Sequence, residues 1–72
     1  MSAHTRRLRL REIIATHNLT DEQVGKLVGR TAGYVRELRH GNHPVSYTLL
    51  RLLELELEHG EGRALIVSRA AV

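Results

Sequence analysis

The segment TDEQVGKLVGRTAGYVRELRHG, residues 20–41, decides the fold because it predicts two short helices joined by a tight turn. Thr20 is a favourable N-cap, and Gln23 three residues later completes a capping box. Apolar residues then recur at helical spacing, so the first helix has an inward face. Gly29 suits the left-handed conformation that often ends a helix, and Thr31 can cap the helix that follows. We therefore expect a helical hairpin that reverses direction at Gly29.

The second predicted helix, residues 31–40, has an unusual outer face. Val35 and Leu38 are its inward pair. Small residues stand at its N-terminal end, and arginine and tyrosine side chains follow. A helix that enters the DNA major groove needs this arrangement, because its N-terminal residues lie nearest the base edges. A small residue is also needed where two helices cross at a steep angle, and Gly25 meets that need.

The hairpin resembles the helix-turn-helix of Cro/repressor-type (Xre-like) transcriptional regulators. The matching positions are a small residue, a turn glycine and an apolar pair: Gly25, Gly29, Val35 and Leu38. Residues 8–57 can be laid over the helical core of that family. Two positions depart from its pattern, since Asp21 stands where many members have glutamine and Arg30 where the turn is often apolar. The basic start and the segment Pro-Val-Ser-Tyr-Thr also make the chain similar to small phage regulators found beside anti-CRISPR genes. That likeness implies autoregulation.

Two further helices are predicted outside the hairpin. The first covers residues 5–17 and ends near Asn18; its inward residues are Leu10, Ile13 and Ile14, with Leu8 beside them. The last covers residues 46–59, from a Ser46 cap to a stop at Gly60, and Tyr47 extends its inward stripe. That stripe consists of Leu49, Leu50, Leu53 and Leu57. We therefore predict an all-α fold, with a three-helix core plus a long C-terminal helix, in one DNA-binding domain over residues 1–60.

Residues 61–72 are predicted to form a C-terminal dimerisation segment. The run Ala64-Leu65-Ile66-Val67 is apolar and β-prone, and an isolated strand has an unpaired edge that needs a partner. Leu52 and Leu55 fall off the inward stripe of the last helix, so a second apolar face needs covering. We predict that two subunits meet through Leu52, Leu55, Leu65, Ile66 and Val67. The alternative is that the tail packs as coil or helix on its own subunit.

Length and charge narrow the class of protein. A chain of 72 residues forms one small domain. Residues 1–44 carry eight Lys/Arg against four acids, whereas residues 45–72 carry three against four, and ten of the eleven basic residues are arginine. A basic half that contains the hairpin favours nucleic acid as a partner. The chain has no cysteine, no apolar signal segment and no run of about 20 apolar residues. We therefore expect a soluble cytoplasmic protein.

The inventory of side chains argues against catalysis. No Ser/His/Asp spacing and no glycine-rich phosphate loop is present, since the glycines are spread through the hairpin. His40 and His43 lack a nearby carboxylate or thiolate that would complete a zinc site. We predict no enzyme activity, no metal, no cofactor and no small-molecule effector.

The leading hypothesis is therefore a sequence-specific double-stranded DNA-binding regulator, a homodimer on an inverted repeat that represses by occluding a promoter. The predicted base-reading residues lie on the outer face of the second hairpin helix: Thr31, Ala32, Gly33, Arg36 and Glu37. The predicted contacts to the DNA backbone flank that helix: Arg30, Tyr34, Arg39, His40, Asn42, His43 and Arg6. The alternative is a protein-interaction module, either an antitoxin whose tail binds a toxin or an adaptor that binds no DNA.

Overall fold

The protein is built from five α-helices. The computed structural model describes the backbone of residues 1–70 and the side chains of residues 1–65. The helices are α1 (Ala3–Thr16), α2 (Asp21–Val28), α3 (Ala32–His40), α4 (Tyr47–His59) and α5 (Glu61–Ala70). No strand occurs within residues 1–70, which confirms the all-α prediction with one helix more than expected. None of the described helices combines the length and the apolar character needed to cross a membrane.

Hydroxyl side chains begin four of the helices. Ser2, Thr20, Thr31 and Ser46 are the N-caps of α1 to α4, and each accepts a hydrogen bond from the backbone N–H three residues later. Such a cap contributes about 1 kcal/mol to helix stability. The capping box of Thr20 and Gln23 is confirmed in both directions. Because Ser2 caps α1, this helix begins at Ala3, two residues earlier than predicted.

The turn between α2 and α3 depends on two glycines. Gly29 has φ 72°, the left-handed conformation that was predicted for it. The Gly25 carbonyl accepts hydrogen bonds from the N–H groups of Gly29 and Arg30, the latter at 2.8 Å. A Cβ on Gly25 would clash with the Arg30 carbonyl oxygen. Gly25 therefore lets the turn lie directly against α2, and this contact sets the position of α3.

One apolar core holds α1 to α4 together. The buried residues are Leu10, Ile13, Leu19, Val24, Val28, Val35, Leu38, Val45, Leu49, Leu50, Leu53 and Leu57. They include the predicted inward stripe of α4 and the Val35/Leu38 pair, and Val45 joins them from the loop before α4. Two predictions were wrong, because Leu8 is 48% exposed and Tyr47 is 65% exposed. Leu8 stands two residues before Leu10, a rotation of about 200° that places it on the opposite side of α1, and Tyr47 lies just off the edge of the α4 stripe.

The predicted β-strand in the tail is wrong, because its residues belong to α5. The Glu56 carboxylate accepts the Glu61 N–H at 3.0 Å, which caps the new helix, and the Ala64 N–H bonds to the Gly60 carbonyl. Gly62 is buried in the first turn, where a Cβ would lie 2.9 Å from a methyl group of Leu57. Local capping and this close packing on α4 outweigh the β-propensity of the apolar run.

Candidate nucleic-acid interface

The outward side of α3 is opposite its buried pair Val35 and Leu38. At 100° per residue, the positions furthest from the core are those of Gly33, Arg36, Glu37 and His40. Thr31 and Ala32 lie at the N-terminal end of the same side. The Thr31 hydroxyl already accepts the Tyr34 N–H at 3.1 Å, so it caps the helix as well as facing outward.

Arg36 is the cationic side chain of this surface that no other described side chain binds. Its side chain is exposed and makes no hydrogen bond or ion pair with the described residues. It leans toward the N-terminus of α3 over Gly33, since a Cβ on Gly33 would have Arg36 Nη2 as its nearest neighbour at 4.0 Å. Nothing else crowds Gly33. At the beginning of α3 the backbone of Gly33 is therefore accessible, and it lies beside the unpaired guanidinium of Arg36.

Glu37, the acid on the same surface, is partly engaged. Its Oε2 accepts a hydrogen bond from Asn42 Nδ2 at 2.7 Å, and its backbone carbonyl accepts the Asn42 N–H at 3.0 Å. Asn42 was predicted to contact the DNA backbone, and Glu37 was predicted to read bases. In the free protein the two side chains hold one another at the C-terminal end of α3.

One edge of α3 is fastened to the start of α2 by an ion pair. Arg39 donates from Nε to Asp21 Oδ1 and from Nη2 to Asp21 Oδ2, both at 2.7 Å. Both side chains are less than one third exposed. The hydrogen bond from Arg39 lowers the pKa of the Asp21 carboxyl below its usual value, and Asp21 raises the pKa of Arg39 in turn. Arg39, predicted as a phosphate contact, thus has two of its three nitrogens engaged by Asp21.

The opposite edge of α3 carries a stack of aromatic and cationic side chains. The Arg30 guanidinium lies 5.0 Å from the centre of the Tyr34 ring, and the His43 ring stacks on Tyr34 at 5.6 Å. The contacts hold the turn before α3 and the loop after it against the same side chain. Arg30 and His43 remain exposed, so their polar atoms are accessible to a ligand.

The cationic surface continues onto α1 through Arg7 rather than Arg6. Arg6, the predicted contact, is half-buried and donates to the backbone carbonyls of Met1 and Val45. Arg7 instead crosses over Gly41, where a Cβ would clash with its guanidinium. Its Nη2 donates to His4 Nδ1 at 2.8 Å, and its buried Nε has no partner among the described residues. His4, Arg7 and His43 line one shallow depression that contains no acid.

Most of the predicted surface is therefore continuous. The structure brings together the outer side of α3, the Arg30–Tyr34–His43 stack and the exposed His40 and Asn42. It assigns Arg6 and Arg39 to contacts within the subunit. Sequence reasoning missed Arg7 and the pairing role of Asp21. Both depend on contacts between segments far apart in the chain, for which the local pattern carries no signal.

Among the described side chains predicted for the dimer interface, Leu52 and Leu55 line a different depression from Leu65. Leu52 and Leu55 are exposed on α4. Leu65 packs against the core of its own subunit and, together with Gln23, Lys26 and Leu27, lines a depression beside α2. The side chains of Ile66 and Val67 lie outside the described residues.

No protein-family model, curated protein or solved structure matches the chain.

Proposed function

We propose that the protein is a sequence-specific double-stranded DNA-binding transcriptional regulator of the helix-turn-helix type. In this proposal α2 and α3 are the two helices of the hairpin, and α3 is the helix that enters the major groove. Two copies bind an inverted repeat whose half-sites are about one helical turn, roughly 34 Å, apart.

The observation that carries the proposal is the outer side of α3. Gly33 allows the backbone to approach the base edges, and the unpaired Arg36 guanidinium beside it is suited to a bidentate contact with guanine. Such a contact discriminates between bases by about 1–3 kcal/mol. Packing of the core does not explain Gly33 and Arg36, because both residues lie on the side of α3 opposite Val35 and Leu38.

The flanks of α3 support the same reading with groups suited to phosphate. Arg30, Tyr34 and His43 form one edge, and Arg7 and His4 extend it without an intervening acid. Phosphate contacts set the register of a protein on the duplex and make binding sensitive to salt. Glu37 is the exception on this surface, and its carboxylate could accept from the amino group of cytosine.

The simplest mechanism is steric. The proposed DNA-binding domain occupies residues 1–60. A bound dimer would block access to a promoter, and the protein's own promoter is the first candidate. Repression by occlusion requires only that the dimer binds DNA tightly at a site that overlaps the promoter.

The test is a gel shift on the DNA upstream of the protein's own coding sequence, at about 0.15 M salt, where exposed charges are screened over roughly 8 Å. Excess nonspecific DNA competes in every lane. Wild type is compared with Arg36→Ala and with Arg63→Ala, which removes the same charge from an exposed position on α5. We expect a discrete complex that survives competition with wild type and Arg63→Ala and is lost with Arg36→Ala.

Diffuse binding that disappears equally for all three proteins as salt rises would contradict the proposal. The alternative, a protein-interaction module such as an antitoxin or adaptor, would then gain support from the exposed apolar side chains of α4. That alternative predicts a stable complex with a different protein and no preference among DNA sequences.

A further inference from the structure

An apolar surface of α4 is left uncovered. Thr48, Leu52 and Leu55 follow one another at the spacing that places side chains on one side of a helix. Leu52 and Leu55 are 38% and 41% exposed, and Tyr47 lies at the edge of the same surface. Together with Arg51 they line one shallow apolar depression. We refer to Tyr47, Thr48, Leu52 and Leu55 as the α4 face, and Arg51 lies at its edge.

The part of α5 whose side chains are described, residues 61–65, does not cover this surface. The α4 face keeps its exposure with the described part of α5 in place, because Leu65 turns toward α2, where it lies beside Leu27. The depression next to the α4 face instead leads toward the turn before α3, since Arg30, Tyr34, Thr48 and Leu52 line it together. The uncovered surface is thus adjacent to the proposed DNA-binding helix.

Charges on α4 indicate which partner fits. Arg51 lies in the first half of the helix, whereas the acids Glu54, Glu56 and Glu58 lie in the second half. Arg51 and Glu58 are seven residues apart, which is about two turns, so they flank the α4 face on the same side. Within the subunit Arg51 lies 3.7 Å from Glu54 and Glu58 lies 3.6 Å from His59, but the Arg51 and Glu58 side chains stay 46% and 54% exposed and accessible to a partner.

A second copy of α4 in the opposite direction would match this pattern. An antiparallel pair brings the first half of one helix onto the second half of the other, so Arg51 of each subunit faces Glu58 of the other. The midpoint between these two positions falls next to Leu55, which therefore packs near the two-fold axis. In a parallel pair, Arg51 and Glu58 of one subunit would lie on the edge opposite their counterparts in the other, so the two charges could not pair.

We infer that the α4 face is the contact between two copies of this chain, packed antiparallel and flanked by two Arg51–Glu58 ion pairs. Such a contact is isologous, as two-fold symmetry requires. The inference rests on the proposed function and deepens it, because it names the interface that an inverted repeat needs. The axis then passes near Leu55, about one turn along α4 from Leu52, which shares a depression with Arg30 and Tyr34.

Sedimentation velocity without DNA, over a range of protein concentrations, tests the apolar part of this contact. Wild type is expected to dimerise as concentration rises, and Leu52→Glu or Leu55→Glu is expected to weaken the dimer at least about tenfold, as loss of a central contact does. Leu8→Glu is the matched control, because Leu8 is an equally exposed leucine on α1. It should leave the dimer unchanged. Circular dichroism melts check that each variant is folded.

A charge swap tests the direction of packing without altering the apolar residues. Arg51→Glu and Glu58→Arg should each weaken the dimer, and the double variant should restore it. Dimers of wild-type strength from the leucine variants, or no recovery in the double variant, would overturn the inference. A wild type that stays monomeric at every concentration would do the same and would favour a different protein as the occupant. Because DNA is absent, these outcomes do not depend on whether the proposed function is correct.

Discussion

Asp21 and Arg39 lie 18 residues apart and close the helical hairpin with two parallel hydrogen bonds of 2.7 Å each. The pair joins the first residue of α2 to the last turn of α3, while the glycine turn joins the other ends of the two helices. The hairpin is therefore fastened at both ends. Asp21 stands where many of the resembling regulators carry glutamine, and here it holds an arginine of its own chain.

Loss of this ion pair should weaken the fold in a pH-dependent way. Asp21→Asn is expected to lower the free energy of unfolding by about 1 kcal/mol near neutral pH, since the pair is bidentate but partly exposed. The folded-state pKa of Asp21 lies below the unfolded value of about 3.9, so the pair contributes fully above that pH. Its contribution is lost as pH falls through the folded pKa, and wild type and variant should then converge.

Urea unfolding at a series of pH values measures that difference. Glu22→Gln is the control, because Glu22 is the neighbouring acid in the first turn of α2 and is exposed. Equal stability of Asp21→Asn and Glu22→Gln near neutral pH would show that the ion pair contributes nothing.

Gly25 should tolerate no side chain. Gly25→Ala puts a methyl group against the Arg30 carbonyl, and backbone cannot move aside as a flexible side chain can. We expect a loss of about 1–3 kcal/mol in unfolding free energy, the usual cost of overpacking. Gly29→Ala makes a useful comparison, because it has open space and only the strain of φ 72° to bear. A Gly25→Ala protein as stable as wild type would mean that the Arg30 carbonyl does not pack directly against residue 25.

Gly33 should show the opposite behaviour. Gly33→Ala has no close neighbour and sits in a helix, so stability should stay the same or rise by up to about 1 kcal/mol. Binding to the proposed operator should nevertheless fall, by roughly the 1–3 kcal/mol of a reading contact, because the methyl group holds the helix away from the bases. Fluorescence anisotropy with labelled DNA gives the affinity, and urea unfolding gives the stability. Unchanged affinity would remove Gly33 from the reading surface.

The Tyr34 hydroxyl offers a test that changes no charge. The ring packs between the core and its stacking partners, but the hydroxyl bonds to none of the described residues. Tyr34→Phe should leave the fold intact within about 0.5 kcal/mol. If the hydroxyl donates to a phosphate, DNA affinity should fall by about 1.5–3 kcal/mol without a change in the slope of affinity against salt. Fluorescence anisotropy at several salt concentrations measures both quantities, and an affinity equal to that of wild type would show that the hydroxyl does not contact phosphate.

The docking of α5 should depend on Gly62. Gly62→Ala brings a methyl group to 2.9 Å from the Leu57 side chain and 3.0 Å from the Glu56 carbonyl oxygen. We expect a loss of about 1–3 kcal/mol and faster hydrogen exchange of the amides at residues 63–65, which follow the packed turn. Exchange rates equal to those of wild type would show that α5 does not need this close approach.

Local signals predicted the hairpin well. Thr20, Gln23, Gly29 and Thr31 act through their own backbone or through residues three or four positions away, so a short window of sequence contains the whole interaction. The buried stripes of α2, α3 and α4 were also predictable, because a single apolar face needs no knowledge of its partner. The predictions for Leu8 and Tyr47 were wrong because apolar character was given more weight than helical spacing, which places Leu8 opposite its stripe and Tyr47 just outside its own.

Contacts between distant segments were not predictable. Arg39 was expected to contact DNA because it belongs to the predicted DNA-reading helix. Only the three-dimensional fold brings Asp21 within hydrogen-bonding distance of it. Arg6 and Arg7 are neighbours with similar sequence surroundings, yet one bonds to a loop 39 residues away and the other crosses Gly41. The strand predicted in the tail was wrong for a related reason. The cap that Glu56 provides and the packing of Gly62 on α4 outweigh the β-propensity of a short apolar run.

The choice of capping residue has an electrostatic consequence. Aspartate caps a helix as well as serine or threonine does, but it adds a negative charge at the point where the peptide dipoles leave a partial positive one. Here α1, α3 and α4 begin with a neutral hydroxyl and have no acid in the first turn. Their N-terminal ends therefore keep their full attraction for an anion. Three positively polarised helix ends thus add to the positive potential of the protein without appearing in its lysine and arginine count, and Thr31→Asp would cancel one of them without uncapping α3.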